Sequence, residues 1–369
     1  MGLHIVKPDT HFDFIGKRRW AFILSGTLIL LSFLSLAIKG GPRYGIDFAG
    51  GIIVQVKFEK DVDLGALNKA LSTSGLEGAM AQRFGQQSEH EYLVRLSNSD
   101  TPTEQVRADL EKGLEANLAG NPYEIQRLES VGPKVGSDLR SKALEAMFYA
   151  TLLIAIYISG RFEQRWMAAA IMAACLAGGI YVLKLVGVPT AGLIIAALII
   201  TMLLCWKLRL NYALGAVISL MHDVIMVVGI FSILDKEFDL TVVAAVLTII
   251  GYSLNDTIIV YDRIRENILA KSAPTFAETL NVSVNQTLSR TLLTSGTTML
   301  VIICLFFFGG GVIHDFSLAM LIGVFFGTYS SIYVASPVLL AFDPRSFERE
   351  AEIAQKKTER KKPNPDGDV

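Results

Sequence analysis

Apolar runs of about 20 residues, the length that crosses a bilayer, recur along this chain. The pattern predicts eight of them, at 20–38, 143–159, 167–186, 190–206, 212–234, 240–261, 291–309 and 317–342. The first is too long and unbroken for a cleaved leader, and no small-residue cleavage site follows it. Between the first and second runs the pattern changes to short alternating segments and charged amphipathic ones. "GIIVQVKFE", "GAMAQRFG", "EYLVRLS" and "YEIQRLESV" alternate as strands do, whereas "DLGALNKALSTSG" and "TPTEQVRADLEKGLEANL" have helical spacing. The second helix opens on Thr with an early Glu, a capping pattern. The order βαββαβ predicts a small ferredoxin-like sandwich.

Loop charge sets the expected orientation. "GKRRW", "GRFEQRW", "KLRLN", "DRIRENILAK" and the tail's "ERKKP" all fall on one side of an eight-span chain. Lys- and Arg-rich short loops stay cytoplasmic, so both termini are expected there. "VGVPTAG", "DKEFD" and "GGGVIHDF" lie opposite and are poor in Lys and Arg. Lys184, near the outer end of the third run, is an exception that can snorkel outward. The expected plan is a cytoplasmic segment 1–19, a first span 20–38, an outer α+β domain 39–140, a bundle of seven further helices 141–342, and a disordered cytoplasmic tail 343–369.

Composition agrees with this plan and removes other classes. The chain has 369 residues, 51% hydrophobic and 19% charged, with a net charge of −1. No global field favours nucleic acid. Cys175, Cys205 and Cys304 lie in apolar runs, where small buried roles suit them better than a disulfide frame or metal site. No cofactor or metal is expected, and no nucleophile stands with a base, so no bond-making catalysis is expected.

The candidate chemistry lies in carboxylates that interrupt apolar runs. "TIIGYSLNDTIIVYDRIREN" places Asn255 and Asp256 within a membrane segment. A carboxylate at the bilayer centre costs about 2.5–3.5 kcal/mol on insertion scales. Asp256 lies about 9 Å inside Asp262 at helical rise. Ser253, Asn255 and Thr257 around it form a polar patch suited to an internal helix face. His222 and Asp223 lie near mid-membrane in the fifth run, where a relay and a purely structural polar role are equally open. Gly50 and Gly51 permit close backbone approach beside the first strand, and Asp47 is placed to cap or fix that junction. Asp262, Arg263, Arg265 and Glu266 read as a solvated helix face with i,i+3 and i,i+4 ion pairs.

Several of these stretches together resemble a known family. "FDFIGKRRW", "YGIDFAGG", "VGPKVGSDL", "SLMHD", "IGYSLNDTIIVYDRIREN" and "TLSRTLLTSGTTML" occur in the order and spacing of SecF, from about residue 12 to 342. The resemblance implies an α-helical resistance–nodulation–division type bundle with a periplasmic domain, in the bacterial inner membrane. It implies partnership with SecD, the SecYEG channel, YajC, exported preprotein chains and membrane lipids. It also implies use of the proton-motive force in late export, with the Arg of the "SRT" motif, Arg290, working with Asp256. One block departs from the pattern. "RFEQRWMAAAI" and "KLRLNYALGAVISLMHD" can be laid over each other, with Arg161 on Lys207, and 167–211 reads as an inserted hairpin in a family of six spans. An even number of added spans leaves every later loop on its side. A proton-coupled exporter of small molecules or lipids, and a passive scaffold that needs no protons, are the other function classes open to such a chain.

Overall fold

The computed structural model describes residues 11–76, 78–85, 89–96, 102–118, 120–162, 166–188, 190–342 and 344–349. The expected disordered tail from Asp343 lies mostly outside them, as do residues 1–10.

A single helix, α1 (Arg18–Lys39), precedes the sheet domain, and a bundle follows it: α5 (Pro133–Phe162), α6 (Trp166–Leu185), α7 (Thr190–Lys207), α8 (Asn211–Ile233), α9 (Leu240–Leu269), α10 (Phe276–Phe308) and α11 (Gly310–Ser330). Among the described residues seven helices are long and apolar enough to cross a membrane, and α7 adds a shorter apolar stretch, Ile195–Lys207. The protein is a multi-pass α-helical membrane protein. α8, α9 and the span that begins in α11 are the most enclosed; α1, α6 and α10 are mostly uncovered, with 17%, 12% and 17% of their apolar windows buried.

Between α1 and α5 come α2 (Ile46–Ala49), β1 (Gly51–Phe58), α3 (Leu64–Thr73), β2 (Met80–Phe84), β3 (Glu91–Leu96), α4 (Thr103–Leu118) and β4 (Tyr123–Val131). The strands form an antiparallel sheet in the order β2-β3-β1-β4, the ferredoxin-like arrangement. Alternation on β1 explains which face is covered. Ile52, Val54, Val56 and Phe58 are buried against Leu67 and Leu71 of α3 and Val106, Leu110 and Leu114 of α4. The other face, with Ile53, Leu93 and Arg95, lines an open cleft of about 490 Å³ against the loop 234–241 and the start of α11.

The sheet domain is seated on the bundle by its entry segment. Tyr44 bridges Phe238, and Gly45 N donates to Phe238 O at 3.0 Å. Asp47 Oδ2 accepts from Leu240 N at 3.0 Å, so it caps α9 from another part of the chain and meets the positive end of that helix. Gly51 has φ 128°, and a Cβ there would lie 2.5 Å from Leu96 O, so only glycine fits. Arg95 of β3 pairs with Glu237 across the cleft.

The extra hairpin α6–α7 packs along α5 and α8. Its two helices bury Ala168, Met172 and Leu176 with Ala197, Thr201 and Cys205.

Two expectations need correction. The start of the expected disordered tail is ordered where it is described: residues 344–349 are helical. Phe347 is buried, stacked on Phe276 and edge-on to Tyr212, because one aromatic side chain finds a pocket that its charged neighbours conceal in the sequence. The face around Asp262 is also more than a solvated helix surface. Only Arg263–Glu266 is an ion pair within the helix, at 2.8 Å. Asp262 pairs with Arg161 of α5 at 3.1 Å, and Arg265 reaches Arg161 O at 3.4 Å. Arg263 Nε also donates to Gln286 of α10 at 2.6 Å. These residues fasten the end of α9 to its neighbours.

Candidate functional site

Two buried carboxylates lie inside the bundle, and they are provided for very differently. Asp223 is enclosed on α8. Its Oδ2 accepts from Ser253 Oγ of α9 at 2.6 Å and Ser330 Oγ of α11 at 2.9 Å. Its Oδ1 is 3.0 Å from His222 Nδ1. His222 Nε2 lies 3.1 Å from Ser25 Oγ of α1. Ser25 Oγ donates to Tyr329 OH at 3.0 Å, and Tyr329 OH donates to Ala21 O at 2.8 Å.

Tyr329 gives its only proton to a carbonyl, so its oxygen accepts from Ser25. The two ring nitrogens of His222 thus face a serine hydroxyl and the Asp223 carboxyl group, and which partner donates depends on the imidazole tautomer.

Asp256 on α9 is as deeply buried, at 1% exposure, but has less support. Ser295 Oγ of α10 donates to its Oδ2 at 3.2 Å, the one side-chain hydrogen bond it receives among the described residues. Thr328 Oγ1 of α11 lies 2.7 Å from Ser295 Oγ. The direct pairing of Asp256 with Arg290 is not made: among the described residues no hydrogen bond or ion pair joins them. Arg290 faces out of α10 and is exposed, whereas Ser295, five residues on, faces α9. Arg290 stays within Coulombic reach of the carboxylate. Asn255 is exposed as well. Of the expected group, Asp223 and Asp256 are thus buried in the bundle, whereas Asn255 and Arg290 are exposed and make no hydrogen bond to Asp256 among the described residues.

Ser25, Ser295, Thr328, Tyr329 and Ser330 were not foreseen as part of the site. Each is a small polar residue or tyrosine in an apolar helix, and nothing in a one-dimensional pattern tells which of them faces a carboxylate. Among the described residues no group of His, Cys, Asp and Glu is placed to hold a metal.

Outside the membrane the sheet domain has its own ion pair. Asp61 binds Arg83 Nη1 at 2.6 Å and accepts from Tyr92 OH at 2.6 Å. The Arg83 guanidinium, aided by Tyr92, holds this carboxyl down to about 2 from an ordinary 3.8.

Comparison with known proteins places this architecture. Residues 112–187 and 184–345 match the model of the C-terminal region of the protein export membrane proteins SecD and SecF. The two stretches meet inside the extra hairpin. Residues 35–62, which include Asp47, Gly50 and Gly51, match the SecD/SecF GG motif. The chain is 42% identical over 347 residues to protein translocase subunit SecF of Magnetococcus marinus, covering 93% of this chain and 96% of that one. It is 36% identical over 351 residues to the SecF subunit of Escherichia coli O157:H7, covering 94% and 91%. It superposes on the crystal structure of SecDF, a translocon-associated membrane protein from Thermus thermophilus, with a TM-score of 0.65 and 32% identity, over 92% of this chain and 39% of that one. This chain thus spans about two-fifths of the solved SecDF chain. On its sequence and its fold, the chain belongs to the SecF family of protein translocase subunits.

Proposed function

We propose that this subunit couples proton movement to late steps of protein export, with Asp256 as the group that takes up and releases the proton. The observation that carries this reading is the poor provision for Asp256. It is buried, with a single hydroxyl donor at 3.2 Å, while Asp223 has its full set of partners. A carboxylate that burial isolates from water and from donors is costly in its charged form, so taking up a proton relieves a cost that its neighbours do not meet. Movement of one charge through the membrane potential supplies about 2.3 kcal/mol per 100 mV, enough to bias a two-state bundle. His222 and Asp223, 3.0 Å apart, form a second pair of ionisable groups within the bundle.

Thr248, Gly251 and Asn255 on α9, with Arg290 and Thr297 on α10, are exposed at membrane depth. Polar groups there need protein or water rather than lipid. SecD supplies the covering helices in this reading, and Arg290 lies in the seam. The SecYEG channel, YajC and the exported chain belong to the same assembly. Loop charge supports cytoplasmic termini and a periplasmic sheet domain. Proton binding alters the helix seam, and the sheet domain, seated on α9 and α11, moves with it. The role is transport-assisting rather than enzymatic.

The test is export into membrane vesicles with and without a proton gradient, at equal protein levels. Asp256→Asn, which imitates the neutral carboxyl with little change of shape, is expected to insert, to co-purify with SecD and to lose gradient-dependent stimulation. Full stimulation in that variant overturns the proton-coupled reading.

A further inference from the structure

We infer that α11 ties the two buried carboxylates together, with Thr328 and Ser330 as the positioning residues that make them respond as one unit. The inference rests on the proton-coupled reading above.

Asp223 and Asp256 lie on different helices and have no common hydrogen-bond donor. Their surroundings converge on one short stretch of α11. Thr328 Oγ1 reaches Ser295 Oγ at 2.7 Å, and Ser295 donates to Asp256 at 3.2 Å. Ser330 Oγ donates to Asp223 at 2.9 Å, with Ser219 Oγ behind it at 2.9 Å. Residues two apart on a helix point about 200° from each other. α11 is therefore wedged between the two sites, one hydroxyl toward each, and a rotation that draws Thr328 from Ser295 also changes the reach of Ser330.

The local backbone provides for such a rotation. Ser331–Ala335 form a π-helical turn directly after Ser330, and Pro337 follows, which lacks an N–H. π turns are less regularly bonded than α turns and gather at functional sites. Above this point α11 is clamped to α9. A Cβ at Gly323 would lie 2.2 Å from the Ile249 side chain, and one at Gly327 would lie 3.0 Å from Ser253 Cβ. Ser330 and the π turn after it are buried among the neighbouring helices, so the two hydroxyls lie where a change in that turn is felt by both acids. The far end of α11 meets the sheet domain: a Cβ at Gly311 would lie 2.4 Å from the Phe84 ring of β2. Asp315, just beyond, binds Lys236 at 2.8 Å.

The experiment is the same vesicle assay with Thr328→Val, Ser330→Ala, their double variant, Thr328→Ser and Asp256→Asn, each at equal levels of SecD-bound protein. Thr328→Val keeps shape and removes the hydroxyl; Thr328→Ser restores it. Coupled sites give non-additive losses: each single variant is expected to lower gradient-dependent stimulation by about 5-fold or more, and the double variant to fall no further than about 2-fold below the worse single. Thr328→Ser is expected to recover most of the stimulation. Losses that multiply in the double variant, no loss in either single, or failure of Thr328→Ser to rescue overturns the inference while a dead Asp256→Asn leaves the proton-coupled reading standing. Stimulation that persists in Asp256→Asn overturns both.

Discussion

Asp256 takes its hydrogen bond from Ser295 at 3.2 Å, on the same helix that carries Arg290, and the arginine itself points out of the subunit. The hydrogen-bond donor of this acid and the arginine of the same helix are thus separate residues facing different ways. Removing one leaves the other in place.

Ser295→Ala deletes that donor and leaves a buried oxygen unsatisfied, a cost of about 1–3 kcal/mol. Gradient-dependent export is expected to fall several-fold, less than in Asp256→Asn, and Ser295→Thr is expected to retain most of it. Stimulation unchanged in Ser295→Ala would show that the hydrogen bond has no part in the cycle.

Gly323 is where α11 lies against Ile249 of α9 with no room for a Cβ. Gly323→Ala is expected to lower thermal stability in detergent by about 1–3 kcal/mol through overpacking. Ile249→Ala in the same chain is expected to recover part of the loss, because it removes the atoms the new methyl strikes. A double variant less stable than either single would place the cost elsewhere.

Asp61 makes the sheet domain acid-sensitive in a defined window. Its carboxyl is held at about 2 against an ordinary 3.8 by Arg83 and Tyr92. A depressed carboxyl stabilises the fold fully above its unfolded value and ceases to do so as pH falls through the folded one. The whole detergent-solubilised protein is therefore expected to become more open to pepsin within residues 51–131 as pH drops from about 4 to about 2. Asp61→Asn should be more susceptible already at the upper end and show less further change. Parallel curves for the two proteins would remove Asp61 from the account.

Topology is testable by cysteine labelling once Cys175, Cys205 and Cys304 are replaced by alanine. A single cysteine at Gly310 or at Gly187 is expected to react with a membrane-impermeant reagent from outside, and one at Ala270 only after the membrane is opened. A silent Gly187 beside a reactive Gly310 would mean that the hairpin α6–α7 enters without crossing.

The linear sequence determined a good deal by itself. Long apolar runs specify membrane helices because lipid leaves backbone polar groups no partner outside the helix. Alternation on β1 and helical spacing in α3 and α4 specified the βαββαβ order and its covered face. Asp223 and Asp256 stood out because acids are costly in apolar runs. Tertiary structure decided the rest, because it concerns which face of a helix meets which neighbour. Pattern could not show that Asp47 caps α9, that Phe347 fills an aromatic pocket, or that Ser295 rather than Arg290 bonds Asp256. Nor could it show that Thr328 and Ser330, ordinary hydroxyls in an apolar helix, face two different acids. A hydroxyl can satisfy itself on its own helix backbone, so its sequence context is the same whether or not a carboxylate stands opposite. Only the packing of α8, α9, α10 and α11 distinguishes the two.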